Sequence, residues 1–190
     1  MKPLCTNFEF LKLKKEFSSF SNACIEAEKS ILVSPATTAI LSRRALELAV
    51  KWEYSFDEDL KLPYQDNISS LIHNNSFLEL IDSGMLPLLK FVISLGNVAV
   101  HTNKNITREE AILSLHNLYQ FVNWIDYCYG DDYKEKQFDE NSLPKGEEKK
   151  VRPEELKDLY EKLSSKDKKL EDIIKENEEL RKEITQKRKD

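Results

Sequence analysis

Residues 85–101 read "MLPLLKFVISLGNVAVH", an almost entirely apolar segment that closes on a Gly-Asn pair and a histidine. The length and flanks of this segment favour a helix over a strand, although periodicity alone does not separate the two. A helix that is apolar on nearly every side is buried among other elements. We therefore predict that this segment is the central helix of an all-α domain.

The flanking segments carry helical spacing and helix-start signals. Apolar residues recur at mostly three- to four-residue steps over residues 10–31. Ser34 followed by Pro35 predicts an N-cap and a first helical residue, and Thr107 with Glu110 predicts a capping box. The 190 residues include only four Gly and six Pro, which favours long helices over many turns. The pattern predicts a helical bundle.

Composition divides the chain into three parts. Residues 1–130 have the spacing of a packed helical domain. Residues 131–152 are rich in charged residues and contain both Gly and Pro, which predicts a flexible charged linker. Residues 153–190 begin at a proline and continue without a globular pattern, so we predict one long helix there.

That last helix has the heptad spacing of a coiled coil. The alternative is a solvated single helix, since lysines at two core positions weaken the apolar seam. Three of the four predicted pairs at flanking positions join opposite charges between parallel strands, and an asparagine in the core favours two strands. We therefore predict a parallel homodimer. The predicted dimerisation residues are Leu156, Leu163, Leu170, Asn177, Leu180 and Ile184.

The charge distribution limits the classes of partner that the protein is expected to bind. The net charge of −5 is uneven, because residues 145–190 carry 15 basic and 14 acidic residues and the remainder is acidic. Non-specific binding to phosphate backbones needs a basic face. We therefore expect nucleic acid to bind only at a local site, if it binds at all.

Features that the sequence lacks lead to expectations about the cellular compartment and about cofactors. No apolar run reaches the ~18–20 residues of a membrane span, and the charged N-terminus lacks the apolar block of a signal peptide. The three cysteines are widely spaced and form no CxxC pair, which argues against zinc sites and disulfides. We expect a soluble cytoplasmic protein with no membrane contact, no metal and no cofactor.

The segment "GNVAVH" resembles the Arg-Asn-x-x-x-His motif of HEPN ribonucleases. The resemblance implies the chemistry of that group, in which an Arg and a His act on RNA without a metal ion, usually across a dimer. Asn97 and His101 match the motif, whereas Gly96 stands where the Arg would be. A guanidinium stabilises the charge that develops in phosphodiester cleavage, and glycine cannot replace it.

A wider pattern resembles the domain-of-unknown-function 4145 (DUF4145) family. It consists of "RRALELAVKW" at 43–52, "LPY" at 62–64, "LGNVAVH" at 95–101 and "LYQFVNWIDYCYG" at 118–130. The resemblance covers residues 8–130 and implies a HEPN-like helical fold. It also implies the N-terminal module of R subunits of type I restriction enzymes, which act in phage defence. No Walker A loop, DEAD-box or PD-(D/E)xK nuclease motif is present, so we expect a truncated, split or free-standing module without the motor.

We predict mainly structural roles for the candidate residues. Gly96 is expected to let a neighbouring helix approach closely, and Asn97 and His101, one turn apart, to form a buried polar network. Arg43 or Arg44 is expected to pair with an acidic neighbour and to pack on an aromatic one. Those two neighbours are Glu47 and Trp52.

Three functions remain open at this level. The first is a non-catalytic interaction module that works with restriction-modification subunits, and we therefore expect no enzymatic activity. The second is a divergent metal-independent ribonuclease or toxin, with His101, Asn97 and Arg44 as candidate catalytic residues and Arg43 as the other arginine able to converge on His101. The third is a coiled-coil adaptor unrelated to restriction.

Overall fold

The computed structural model describes residues 6–146 and 151–187, without the side chains of 170, 171, 174, 177, 178 and 180–187. These residues form helices and no strand, so the all-α prediction is confirmed. None of their helices is long and apolar enough to traverse a bilayer. The α-helices are α1 (Glu9–Lys12), α2 (Ser18–Lys29), α3 (Pro35–Phe56), α4 (Ile68–Ile72), α5 (Asn75–Leu80), α6 (Met85–His101), α7 (Arg108–Tyr129) and α8 (Pro153–Lys187).

The two strongest start signals in the sequence are confirmed. The Ser34 side chain accepts a hydrogen bond from the backbone N–H of Thr37 at 3.0 Å, and proline is the first residue of α3. At α7, the N–H of Glu110 donates to Thr107 Oγ1 at 3.2 Å, and the N–H of Thr107 donates to Glu110 Oε2 at 2.9 Å. These reciprocal bonds satisfy backbone groups that have no partner inside the helix.

Helix α6 lies at the centre of the bundle, as its apolar sequence predicts. It contacts α3, α7 and α8, and its buried residues include Leu89, Val92 and Gly96. Helix α3 also packs against α2 and α7 around a core rich in phenylalanine. The long helices α3 and α6 therefore share the interface that positions the Gly-Asn-x-x-x-His segment.

The first part of the predicted linker, residues 131–146, lies along the bundle. Leu143 is buried in the main core. The Tyr119 hydroxyl donates a hydrogen bond to the carbonyl of Lys136 at 3.0 Å. The flexibility of this segment and the division of the chain at 130 and 152 stay predictions, and residues 147–150 lie outside the described part.

The first turns of α8 dock onto α3 and α6. Leu156 is 6% exposed and belongs to a second apolar cluster. Its buried partners are Ala39, Ile40, Leu95, Ala99, Val100 and Ile106. The placement of Leu156 in a dimer seam is therefore corrected, because its own bundle covers it. An apolar heptad position buries equally well against a second chain or against its own domain, and sequence spacing does not distinguish the two.

Candidate functional site

The predicted close approach at Gly96 is confirmed. A Cβ atom added to Gly96 would lie 2.6 Å from Arg43 Cβ, 2.8 Å from Arg43 Cδ and 3.1 Å from the Ala39 carbonyl oxygen. The base of the Arg43 side chain thus packs directly on the α6 backbone. An arginine from α3 therefore lies against the position where the ribonuclease motif carries its own arginine.

Arg43 extends from Gly96 to α8. Its Nη1 donates a hydrogen bond to the Tyr160 hydroxyl at 2.7 Å. Its Cζ lies 5.1 Å from the centroid of the Tyr160 ring, within the range of a cation–π contact. Its Nε is buried and has no hydrogen-bond partner among the described residues. The guanidinium is therefore held by an uncharged residue.

Arg44 holds the next turns of α8 through a two-point contact. Its Nε and Nη2 donate to the two carboxylate oxygens of Asp167 at 2.8 and 2.9 Å. The side chains of Arg44 and Asp167 are 22% and 18% exposed, and Glu26 lies at 3.5 Å as a second acid. The hydrogen bonds with Asp167 raise the pKa of Arg44 above its usual value. Two consecutive residues of α3 thus bind α8.

The predicted partners of these arginines are wrong. Glu47 forms an ion pair with Lys51 on the next turn of α3, with 3.2 Å between Oε1 and Nζ. Trp52 packs in an aromatic cluster with Phe17, Phe20, Phe56 and Tyr129. The sequence suggested the nearest acid, whereas Tyr160 and Asp167, which bind Arg43 and Arg44, lie more than a hundred residues away in α8.

His101 and Asn97 do not form a buried polar pair. His101 is exposed at the last residue of α6, which corrects its predicted place in the core, and Asn97 is half-buried. The His101 ring lies 6.3 Å from the Tyr160 ring in an edge-on arrangement. Arg43 and His101 therefore both contact the ring of Tyr160.

A cavity of about 470 Å³ lies between α3, α6, α8 and the start of α4. Its walls include Arg43, Arg44, Asn97 and Tyr160. In the described part of the chain, no three His, Cys, Asp or Glu side chains cluster in a way that would hold a metal ion. The walls carry basic side chains and also three carboxylates, those of Glu47, Asp66 and Asp167.

Sequence reasoning missed Tyr160 and Asp167, although the sequence contains a signal for them. Leu156, Tyr160, Leu163 and Asp167 are spaced by four, three and four residues, which places them on one face of α8. Leu163 lines the cavity and is half-buried. The side chains of the other predicted dimerisation residues lie outside the described part. They are Leu170, Asn177, Leu180 and Ile184.

The fold and this site define an all-helical bundle whose third and sixth helices bind the C-terminal helix. The family model for Domain of unknown function (DUF4145) matches residues 25–162. The chain therefore belongs to the DUF4145 family. No curated protein and no solved structure matches the chain. The family match extends through Leu156 and Tyr160, so it includes the first contacts of α8 with the bundle.

Asp167→Asn should loosen α8 without unfolding the bundle. The change removes one charge from the two-point contact with Arg44, and we expect a loss of about 1 kcal/mol that shrinks at high salt. Hydrogen exchange of the amides between 156 and 167 should accelerate more than exchange in α6. Asp158→Asn, at an exposed position of the same helix, is the matched control. Equal exchange in the two variants would contradict a holding role for Asp167.

Proposed function

We propose that this chain is a non-catalytic interaction module of the kind that precedes the motor of type I restriction R subunits. The arginine contacts with α8 carry this proposal. Arg43 and Arg44 are the cations of α3 beside the motif segment, and both are bound to residues of α8. The bundle uses these groups to hold a long helix.

Chemistry supports the absence of catalysis. A lone histidine that transfers protons contributes roughly 10²–10⁴-fold to a rate. Phosphodiester cleavage also needs a fixed cation on the developing charge, which is worth several kcal/mol. Gly96 supplies no charge, and the Arg43 guanidinium is stacked on Tyr160. His101 therefore lacks the partner that the ribonuclease motif requires.

Family membership supports the restriction context. The DUF4145 resemblance implies a module that works beside DNA-modifying and DNA-specificity subunits in the cytoplasm, as part of phage defence. Helix α8 begins on the bundle and extends about 35 residues, or roughly 50 Å at 1.5 Å per residue. Such a helix connects the bundle to partners at a distance, which fits an interaction module.

Co-expression with the modification and specificity subunits of a type I system from the same genome tests the proposal. We expect the full chain to co-elute with that complex in gel filtration at micromolar concentration. Asp167→Asn should weaken the association if a held α8 presents the binding surface. A folded, helical chain that elutes alone in every combination would contradict the proposal.

A ribonuclease is the second candidate, and one observation favours it. Arg43 and His101 both contact the ring of Tyr160, so removal of that ring would leave an arginine and a histidine on adjacent helices without their shared contact. This alternative makes a sharp prediction: activity should rise when Tyr160 is replaced by a small residue.

We further propose that the distal part of α8 forms a parallel homodimer. The full chain should sediment as a dimer at micromolar concentration, while a chain that ends at residue 168 should be monomeric. The shorter chain retains Leu156, Tyr160 and Asp167, so its bundle keeps the contacts with α8. Asn177→Leu should raise thermal stability and relax the choice of oligomer. A monomeric full chain would contradict dimerisation.

A further inference from the structure

The cavity between the bundle and α8 has an uneven balance of charge. On its walls, Arg44 is paired with Asp167 and Lys51 with Glu47. Arg43 differs, because its only hydrogen-bond acceptor in the described part of the chain is the neutral Tyr160 hydroxyl. A half-buried guanidinium without a counter-charge is costly. Arg43 therefore lines this cavity without an ion pair to any described carboxylate.

The atoms of Arg43 show how an anion would bind. Its Nε is buried without an acceptor and its Nη1 is bonded to the Tyr160 hydroxyl, whereas Nη2 forms no hydrogen bond among the described residues, so Nη2 is the donor left for a ligand. The half-buried amide of Asn97 and the exposed ammonium of Lys168 lie on the walls of the same cavity. Guanidinium groups match the oxygen spacing of phosphate and carboxylate. Asp66 also lines the cavity from an exposed position on the loop before α4.

We propose that this cavity binds a small molecule through a phosphate group, with Arg43 as the principal contact and Asn97 and Lys168 as additional donors. Its volume of about 470 Å³ falls within the range of small-molecule sites, ~300–1,000 Å³. A phosphate group fits better than a monocarboxylate because it presents more oxygens and more negative charge to the three donors. This site goes beyond the interaction role, since it assigns a ligand to the bundle itself.

A ligand in this site would contact both the bundle and α8, because both contribute residues to its walls. Arg43 and Asn97 come from α3 and α6, whereas Tyr160 and Lys168 come from α8. A bound phosphate would therefore contact the bundle and the C-terminal helix together. Binding would slow exchange of the α8 amides as well as raise the melting temperature, because a ligand stabilises the state that binds it.

Thermal unfolding of the full chain with added anions tests the site. Inorganic phosphate and a nucleoside monophosphate supply the same group from two sources, and sodium chloride at equal ionic strength controls for screening. We expect saturable stabilisation by phosphate, with isothermal titration giving the affinity. A nucleoside monophosphate that binds more tightly than phosphate would show that the cavity also takes the nucleoside. Equal affinities would show that the phosphate group alone is recognised.

Substitutions locate the binding. Arg43→Gln should weaken phosphate binding at least tenfold, as expected for the loss of charge-assisted hydrogen bonds. Arg152→Gln removes the same charge from an exposed position outside the cavity and should bind like the wild type. Lys168→Gln, at an exposed wall position, gives a smaller loss and still tests the site if Arg43→Gln does not fold. Stabilisation by sodium chloride equal to that by phosphate would overturn the proposal. Stabilisation by a dicarboxylate equal to that by phosphate would also overturn it. Unchanged phosphate binding in folded Arg43→Gln or Lys168→Gln would do the same.

Discussion

Gly96→Ala should lower the free energy of unfolding by about 2 kcal/mol, with a fall in melting temperature of about 4–8 °C. The new Cβ would lie 2.6 Å from Arg43 Cβ, an atom fixed to the α3 backbone, so the two helices must move apart. The better helix propensity of alanine offsets only about 1 kcal/mol of this cost. Chemical denaturation followed by circular dichroism gives the free energy directly.

Gly84→Ala is the matched control. A Cβ at Gly84 meets nothing within 4 Å, and its φ of −74° suits any residue, so stability should stay the same or rise slightly. Because the Gly96 clash displaces Arg43, the Gly96 variant should also loosen α8 in hydrogen exchange. Equal stabilities of the two alanine variants would show that α3 and α6 are not in close contact at Gly96.

Glu53 should make the protein less stable as the pH rises from about 4.5 to about 8. Its side chain is fully buried, and neither carboxylate oxygen has a hydrogen-bond partner among the described residues. Burial, together with the charge of Asp57 one turn later, raises the pKa of Glu53 from 4.5 to about 8. The nearby Tyr129 hydroxyl opposes part of this shift, but its hydrogen bond of 2.6 Å goes to Asp57.

The direction of this pH dependence follows from proton binding in the folded and unfolded states. Between pH 4.5 and 8 the folded state holds the Glu53 proton and the unfolded chain releases it, so stability falls with rising pH across this window. The part of this shift that acts between pH 5 and pH 9 corresponds to an effect on the order of 4 kcal/mol. Glu53→Gln removes the titrating group, so its stability relative to wild type should increase by about that amount from pH 5 to pH 9.

Denaturation of wild type and Glu53→Gln across this pH range measures the difference. Glu58→Gln, an exposed acid near the same end of α3, should show almost no pH-dependent difference from wild type. Asp57→Asn should shift the Glu53 transition to lower pH, because it removes the neighbouring charge. A constant gap between wild type and Glu53→Gln at all pH values would contradict the neutral form of this carboxyl.

The helices were predictable because their signals are local. Capping at Ser34 and Thr107 depends on side chains and backbone groups three residues apart. The buried α6 follows from its apolar composition, and the role of Gly96 follows from its small size in that helix. The caps and the apolar run depend on neighbours within one or two turns, which the amino-acid sequence displays directly, whereas the helix that approaches Gly96 is not given by its local sequence.

The site was less predictable because its contacts are distant in sequence. Arg43 and Arg44 reach residues 117 and 123 positions away, while the nearer Glu47 is engaged by Lys51. Leu156 fits a coiled-coil heptad and the docking face equally well, so periodicity did not identify its contact. The four-three-four spacing along α8 was present but carries no information about which surface it faces.

RNA cleavage in the presence of a metal chelator tests the central claim most directly, that the bundle holds a helix and does not cut a phosphodiester. The comparison uses wild type, Tyr160→Ala and the double variant Tyr160→Ala/His101→Ala, each checked for folding. Tyr160→Ala removes the ring that Arg43 and His101 both contact. We predict no cleavage by any of the three. Metal-independent cleavage by wild type or Tyr160→Ala that disappears in the folded double variant would contradict the account and identify a ribonuclease.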